Sequence, residues 1–482
     1  MRTIAAAVCL LIASGCASPA ALRPAAPPPR PPSAPIASTP IAYAPAARAA
    51  EPPRLVHAPG VGAAAGEFVA FLQTHNFAQA ARRFDRAMSE SLPADRLESA
   101  WGSVERGAGR MLRVEVIESV PRPPRTHVWF ACEFENRSWN VEVVINAASK
   151  VSGFRLQPVP PVWTAPDYAD SSAISERQVQ VGAGAAPLAG VLTEPARPSG
   201  FAAVLVHGSG PQDEDASVGP RGAGNKMFKD IAWGLATQGV AVLRYPKRTW
   251  AHPEQFEGVA FTLDDEVTRD ACDAVQEAAN RVGGRTDRVF VVAHSLGAAM
   301  APRIAAACPS LGGLVLLAGP ARSLDQVLFD QFQYLLALAG KNRAEVASEL
   351  GELLTGFSSA VTILGAPDEQ MSFSGMRAPR SYWADVSGYD PAAAMLRAPK
   401  VPVLVMQGGR DYQVRRPEFE AWKRILRVHP DASFKLYPSL DHRFVAGEGL
   451  PTPADYGRPG HVARDVIIDV AAWIKQKHAR RP

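Results

Sequence analysis

The stretch Asp287-Arg288-Val289-Phe290-Val291-Val292-Ala293-His294-Ser295-Leu296-Gly297-Ala298-Ala299-Met300 decides the fold of this 482-residue chain. It predicts an apolar strand, a sharp turn at Ser295 and a helix. Ala293 and Gly297 are small enough for the backbone to turn tightly, although glycine is more usual at the first of these positions. Such a turn is a nucleophile elbow, which leaves the serine hydroxyl exposed above a sheet. We therefore predict that Ser295 is a nucleophile; a serine that merely caps a helix is the alternative.

A second loop follows the apolar run 204–206 and reads His207-Gly208-Ser209-Gly210-Pro211. Its glycines allow the backbone to approach a ligand closely. In enzymes with a nucleophile elbow, such a loop and the residue after the serine each give one backbone N–H to the oxyanion. The helix start also favours negative charge. We predict Ser209 and Leu296 as the oxyanion donors, with a plain tight turn as the alternative.

The expected general base is His442, which lies just after the last apolar run, at 434–437. The order along the chain in elbow enzymes is serine, acid, histidine, so the base should come last. His252 and His461 are weaker rivals. The alternative is that His442 is a solvated loop histidine with no catalytic role.

The acid should precede that histidine and follow an earlier strand. The run Val403-Leu404-Val405-Met406-Gln407-Gly408-Gly409-Arg410-Asp411 provides such a position, because the glycine pair turns the chain off the strand. We predict that Asp411 orients His442. Asp385, Asp390 and Asp441 are alternatives, and Asp441 is expected to cap the turn.

Further apolar runs alternate with amphipathic stretches from about residue 161 to the end, at 201–206, 240–244, 289–293, 313–318, 401–407 and 434–437. This alternation predicts a parallel sheet covered on both faces, in a domain over 161–482. Residues 320–400 lack a strand pattern, and leucines there fall at helical spacing. We expect an inserted helical cap over the carboxyl edge of the sheet. Most of its aromatic residues should pack the cap onto the sheet, and a few should face the substrate; they are Phe329, Phe332, Tyr334, Phe373, Tyr382 and Trp383.

Residues 61–160 have a different pattern. Apolar residues at helical spacing come first, and then Val128, Phe130, Cys132 and Phe134 alternate with a period of two. Helices followed by an antiparallel meander predict a small α+β domain. No carboxylate or histidine cluster suggests chemistry there, so a structural role is favoured over a substrate-presenting one.

The amino terminus predicts export. Arg2 precedes an apolar run at 4–12 that is too short to span a bilayer but suits a secretory signal. Ala13-Ser14-Gly15-Cys16 then resembles a bacterial lipobox, which predicts a signal over 1–16 and a lipid on Cys16. Residues 17–60 are rich in proline and alanine and predict an extended tether. We expect attachment to the bacterial cell envelope, at the outer membrane or the periplasmic face; plain secretion is the alternative.

Composition excludes several functions. Lys and Arg exceed Asp and Glu by 51 − 47 = 4 residues, and the positive charge is scattered, so no nucleic-acid partner is expected. The sequence has no His-Glu-x-x-His run, Cys-x-x-Cys pair or Gly-Lys-Ser/Thr loop, so we expect neither a metal nor a cofactor. Cys132, Cys272 and Cys308 are expected to be small buried apolar residues rather than a disulfide framework.

Several motifs resemble those of bacterial exported α/β hydrolases, commonly labelled serine-aminopeptidase-like or dienelactone-hydrolase-like. They are His207 to Pro211, Leu243-Arg244-Tyr245-Pro246-Lys247-Arg248, Ser381-Tyr382-Trp383, Gly388-Tyr389-Asp390-Pro391, Gln407 to Asp411 and Asp441-His442. The resemblance implies an α/β-hydrolase fold with a mostly parallel sheet and an inserted helical cap. The domain at 61–160 is similar to a small cystatin-like α+β domain that often precedes such hydrolases.

The resemblance implies a serine esterase acting on small or medium acyl esters through an acyl-enzyme. Two other functions stay open. One is an aminopeptidase or amidase with the same triad, which an acidic cluster in the cap would favour. The other is a non-catalytic binding module, which loss of a triad residue would favour. The oligomeric state is left open.

Overall fold

The computed structural model describes residues 61–478, apart from 123, 137, 159–162, 185, 219–224, 309, 343, 352–354, 356–365 and 374–375. The predicted signal and tether therefore lie outside the described residues. The described residues divide into two compact units, and the boundary between them in the sequence lies near residue 160. Among the described residues, no helix has the length and apolar character needed to cross a membrane.

The N-terminal unit has four helices and then four strands. They are α1 (Val61–Gln73), α2 (Phe77–Arg82), α3 (Arg86–Ser91), α4 (Ala94–Ala108), β1 (Met111–Arg122), β2 (Arg125–Phe134), β3 (Ser138–Asn146) and β4 (Val151–Pro158). The strands pair in chain order, each antiparallel to the next. Phe68 and Leu72 of α1 pack on Phe130 and Val143, so the apolar face of α1 covers one face of the sheet.

The C-terminal unit is built around one eight-stranded sheet. Its strands are β5 (Ile174–Val181), β6 (Leu188–Pro195), β7 (Ala202–Val206), β10 (Ala241–Arg244), β11 (Val289–His294), β12 (Gly313–Leu317), β15 (Val403–Gly408) and β16 (Ala432–Tyr437). Two small ribbons add β8 (Ser217–Val218) with β9 (Asn225–Lys226), and β13 (Gln370–Phe373) with β14 (Met376–Pro379).

Helices lie between these strands. They are α5 (Met227–Thr237), α6 (Arg248–Ala251), α7 (Arg269–Ala279), α8 (Leu296–Ala307), α9 (Leu324–Leu338), α10 (Arg380–Gly388), α11 (Pro391–Arg397), α12 (Arg416–Ile425) and α13 (Arg464–His478). A π-helical turn, Asp264–Thr268, leads into α7. Helix α8 runs on through Pro302 to Ala307.

The order across the sheet is β16-β15-β12-β11-β7-β10-β6-β5. The six strands from β16 to β10 are parallel, while β6 and β5 pair antiparallel at one edge. Along β7, Val204 packs into one apolar cluster and Ala203 and Leu205 into another. Because successive side chains of a strand point to opposite faces, both faces of the sheet are buried. The mostly parallel sheet predicted from the apolar runs is confirmed.

Three expectations need correction. Cys272 of α7 and Cys308 at the end of α8 form a disulfide, although their spacing of 36 residues resembles no paired motif; only Cys132 fits the expected free, buried role. The cap region is not purely helical, since β13 and β14 form a hairpin within it. Strands β5 and β6 were missed. Most residues of β5 are exposed and form no apolar run, and the short apolar run of the mostly buried β6 is interrupted by Gly190 and by Thr193-Glu194.

Candidate active site

The turn between β11 and α8 is as sharp as the sequence predicts. Ser295 has φ 54° and ψ −120°, a conformation that costs a non-glycine residue on the order of 1–3 kcal/mol. Its N–H donates to the carbonyl oxygen of Leu317 on β12 at 2.9 Å. A Cβ atom at Gly297 would lie 2.5 Å from the carbonyl oxygen of His207, so this position requires glycine. The elbow is thus held by its two neighbouring strands.

The two predicted oxyanion residues lie on either side of this turn. Leu296 is the first residue of α8, where backbone N–H groups have no acceptor within the helix. The loop after β7 approaches from the other side, since a Cβ atom at Gly208 would lie 3.0 Å from the Cβ of Ser295. The peptide that joins Gly208 to Ser209 therefore lies directly beside the candidate nucleophile.

The structure brings the predicted acid and base together. Nδ1 of His442 lies 2.7 Å from Oδ2 of Asp411, and both side chains are buried. The other oxygen of Asp411 accepts the backbone N–H groups of Gln413 and Val414 at 2.8 and 2.9 Å. These donors fix the position of the carboxylate, which in turn fixes the orientation of the imidazole.

Two glycines allow the two loops to meet. A Cβ atom at Gly408 would lie 2.5 Å from the carbonyl oxygens of Leu440 and Asp441, and one at Gly409 would lie 2.6 Å from that of Pro438. The Asp411 loop after β15 can therefore pack against the His442 loop after β16 only if these residues lack side chains.

Gln407 belongs to the same network, although sequence reasoning gave it no role. Its Nε2 donates to Oδ2 of Asp411 at 3.0 Å and to the carbonyl oxygen of Val414 at 2.8 Å. The available signal was a polar residue in an otherwise apolar strand, directly before the glycine pair. Gln407 shapes the turn and holds the acid in place.

His294 is the second residue whose position sequence reasoning missed. Its Nε2 donates to the carbonyl oxygen of His442 at 2.9 Å, across 148 residues of sequence. Burial, and then the nearby His442, hold the pKa of His294 well below its ordinary value, so the ring is neutral. This bond attaches the loop of the candidate base to the end of the strand that carries Ser295.

The rival residues have other partners. Asp385 pairs with Arg303, Asp390 caps α11, and Asp441 pairs with Arg443 while accepting backbone N–H groups of its own turn. His461 bonds to Asp230, and His252 approaches the carbonyl oxygen of Pro187. Among the described residues, Asp411 is the one whose side chain hydrogen-bonds to the ring of His442.

A small cleft, partly open to solvent, lies beside the elbow. Leu296 forms part of its wall, and the cap supplies Leu324, Val386 and Tyr389. Arg322 is its one charged lining residue and pairs with Asp330 and Glu418. Among the cap aromatics, Phe332, Tyr382 and Trp383 are buried in the packing of the cap, the role expected of most of them. The wall is therefore mainly aliphatic.

Known proteins resemble this chain over most of its length. The model of the serine aminopeptidase family S33 matches residues 222–448. Esterase EstD of Thermotoga maritima is 33% identical over 409 residues, which are 84% of this chain and 93% of that protein. Among solved structures, the esterase domain of a Rhodothermus marinus protein is 16% identical with a TM-score of 0.37, covering 63% of this chain and 98% of that one. An esterase of Pyrobaculum calidifontis is 18% identical with a TM-score of 0.39, covering 63% and 86%.

Proposed function

This chain belongs to the α/β-hydrolase family of esterase EstD, and we propose that it is a serine carboxylic ester hydrolase that uses Ser295, His442 and Asp411. The observation that carries the proposal is the buried His442–Asp411 pair at 2.7 Å, fastened by His294 to the strand that ends at Ser295. Acyl transfer requires a serine in an exposed elbow and an oriented imidazole, and the structure supplies the strained elbow at Ser295 and the held ring of His442.

The proposed reaction has two steps. His442 takes the proton of the Ser295 hydroxyl while its oxygen attacks the ester carbonyl, and the backbone N–H groups of Ser209 and Leu296 hold the oxyanion. The alcohol leaves with the proton from His442. Water then attacks the acyl-enzyme, with His442 again as the base, and releases the acid and Ser295. Asp411 keeps the proton-bearing Nδ1 of His442 turned away from the serine.

The cleft favours an acyl ester over a peptide with a free amine. An aminopeptidase needs a free carboxylate to bind the substrate's ammonium group, and in the cap Glu369 pairs with Arg380 instead. The charged side chain that lines the cleft, Arg322, is paired with Asp330 and Glu418, so neither of these carboxylates is free to bind an ammonium group. The remaining lining is apolar and suits an alkyl chain.

The test measures kcat/KM for nitrophenyl esters from acetyl to decanoyl, beside alanyl and prolyl anilides. Each methylene buried in the cleft contributes roughly 0.8 kcal/mol, about a four-fold rise per carbon. We expect kcat/KM to rise to butyryl or hexanoyl and then to fall, because the cleft is short. The anilides should be cleaved negligibly. Anilides turned over as well as the best ester would make the protein a peptidase, and no turnover of either class would leave the binding-module alternative.

We also propose that the protein is exported and anchored to the bacterial envelope through a lipid on Cys16. The Cys272–Cys308 disulfide supports export, because such bonds persist mainly in oxidising compartments. Mass spectrometry of the mature amino terminus tests the anchor. A lipidated Cys16 is expected, with loss of the lipid in Cys16→Ser. An unmodified terminus after cleavage would replace the anchor with plain secretion.

The N-terminal unit is proposed to be a structural, cystatin-like module. What supports this is its order of helices and then an antiparallel sheet, together with the scarcity of buried ionisable groups in its described part.

A further inference from the structure

Lys247 is a buried cation that the proposed mechanism does not use. It follows β10 in the segment Arg244-Tyr245-Pro246-Lys247, and only 3% of the residue is exposed. Its Nζ pairs with Oε1 of Glu266 at 3.0 Å, and the Glu266 side chain is as deeply buried. Removing two charges from water is expensive, so a pair in this place calls for an explanation other than stability.

The second bond of the ammonium group gives that explanation. Nζ of Lys247 also donates to the carbonyl oxygen of Gly208 at 3.0 Å. That carbonyl belongs to the same planar peptide as the N–H of Ser209, and in a trans peptide the two groups point in opposite directions. Gly208 itself lies against Ser295. A cation on the carbonyl oxygen therefore acts on the backbone N–H that is expected to face the oxyanion.

Lys247 holds the loop at two points. Besides the side-chain bond to Gly208, its backbone N–H donates to the carbonyl oxygen of Gln212 at 2.9 Å. Gln212 in turn donates through Nε2 to the carbonyl oxygen of Ser209 at 3.0 Å. The loop that carries the candidate oxyanion donor is thus fixed on both sides of Ser209.

We propose that Lys247 is a positioning residue for the oxyanion hole, orienting the Gly208–Ser209 peptide and polarising the Ser209 N–H towards the negative charge that forms at the substrate. A hydrogen bond from a cation is stronger than one from a neutral donor, and hydrogen-bonded groups in series polarise one another. The inference rests on the proposed esterase function, because it requires an oxyanion at Ser295.

Glu266 links Lys247 to the cap. Its Oε1 binds Lys247 and also accepts the hydroxyl of Thr249 at 3.1 Å, while its Oε2 accepts the hydroxyl of Tyr382 on α10 at 3.3 Å. One continuous chain of hydrogen bonds therefore runs from the cap through Glu266 and Lys247 to the peptide beside the nucleophile. The cap helix α10 helps to hold the ion pair in register with the loop.

The test separates an electrostatic role from a purely structural one. The key variant is Glu266→Gln/Lys247→Met, which removes both charges and leaves no unpaired ion in the core. Lys247→Gln keeps a donor for the Gly208 carbonyl without the charge. The matched control is Arg248→Met/Asp270→Asn, which removes a neighbouring ion pair that contacts neither the oxyanion loop nor Ser295.

Two quantities are measured on the full chain. The first is kcat and KM for nitrophenyl butyrate. The second is the carbonyl stretch of the acyl-enzyme formed with an arylacryloyl substrate. Removing a whole oxyanion donor costs roughly 10²–10³ in kcat, so loss of the polarising cation should cost about 10–100-fold with KM nearly unchanged. The acyl carbonyl stretch, measured by Raman spectroscopy, should move to a higher wavenumber in the double variant. Lys247→Gln should lie in between, and the control should keep the low wavenumber.

The results separate the two hypotheses. If the wild type hydrolyses the ester and reacts with a fluorophosphonate, but the folded double variant keeps the kcat and carbonyl wavenumber of the wild type, the role of Lys247 is refuted and the proposed function stands. An equal loss of kcat in the control would likewise reduce the effect to stability. If the double variant does not fold, the wavenumber of Lys247→Gln decides. A wild type that neither hydrolyses the ester nor reacts with the probe would refute the proposed function itself.

Discussion

The two units of this chain differ most in what they bury between their sheets and helices. In the described part of the N-terminal unit, Asn140 and Glu142 are the polar side chains that are buried, and Glu142 is held by His127 and Arg155. The C-terminal unit buries many charged groups, among them Asp411, His442 and Lys247.

The difference follows from the two kinds of sheet. Parallel strands all end at one edge, so the loops after β7, β11, β15 and β16 bring their polar residues to one place. An antiparallel meander sends successive loops to opposite edges, and its polar residues stay apart. Buried ionisable groups are costly unless they are paired. Their concentration at one edge of the C-terminal sheet therefore marks the part of the molecule arranged for chemistry.

The largest expected effect comes from the elbow. Ser295→Ala should lower kcat about 10⁶-fold, because removing the nucleophile abolishes the covalent route. A fluorophosphonate probe should label the wild type at Ser295 and leave the variant unlabelled. Ser152→Ala, in the N-terminal unit, is the matched control and should keep both activity and labelling. Activity that survives in Ser295→Ala would end the assignment.

The acid should matter next. Asp411→Asn should lower kcat about 10⁴-fold while the fold persists, because an amide no longer holds the imidazole in the required tautomer. Asp441→Asn serves as the comparison, since that carboxylate binds Arg443 and its own turn instead of His442. It should lower the melting temperature and keep kcat. If Asp441→Asn proves the more damaging to kcat, the acid is misassigned.

The disulfide lies in the C-terminal unit and is expected to stabilise that unit. Cys272→Ala/Cys308→Ala should lower the free energy of unfolding by about 2–4 kcal/mol, because the bond closes a loop of 36 residues in the unfolded chain. A reductant should lower the melting temperature of the wild type and leave that of the double variant unchanged. Cys132→Ala, which removes the free thiol of the N-terminal unit, should keep the response to reductant. A wild type insensitive to reductant would contradict the prediction.

Acid should weaken the C-terminal unit through its buried histidines. Burial, with Lys247 nearby, lowers the pKa of His207 from 6.5 to about 3, so the folded protein holds it neutral. The unfolded chain takes up the proton first, so the stability contribution is complete above pH 6.5 and is lost as the pH falls towards 3. The loss per histidine approaches about 1.4 kcal/mol per pH unit. Urea unfolding of the wild type and His207→Asn across this range should give a shallower pH dependence for the variant, and identical slopes would count against it.

The smallest effect on activity is expected in the N-terminal unit. Glu142→Gln breaks the bonds to His127 and Arg155 and should destabilise its sheet. Steady-state kinetics of the full chain on nitrophenyl butyrate should nevertheless give an unchanged kcat/KM at temperatures where the variant is folded. A clear fall in kcat/KM would show that this unit presents substrate, which is the alternative to a structural role.

The sequence by itself determined the parallel sheet and the places where chemistry-bearing residues leave it. Continuous apolar runs predict the parallel strands, because a strand covered on both faces has no polar side. The elbow at Ser295 and the turn before Asp411 can be read because close backbone approach tolerates only small residues, as Gly297 and Gly408 show. Both requirements concern residues that are close together in the chain, so the local sequence is enough to predict them.

Only the tertiary structure decided the contacts between distant segments. The disulfide joins two helices 36 residues apart, His294 reaches the loop of His442 across 148 residues, and Lys247 reaches Gly208 across 39. Strand β5 escaped notice because most of its residues are exposed, and β6 because Gly190 and Thr193-Glu194 interrupt its short apolar run. A partner chosen by packing leaves no periodic trace in either segment, because each residue alone is equally compatible with a capped turn or a solvated loop. The support around the candidate site therefore becomes visible only when the sheet brings its loops to one edge.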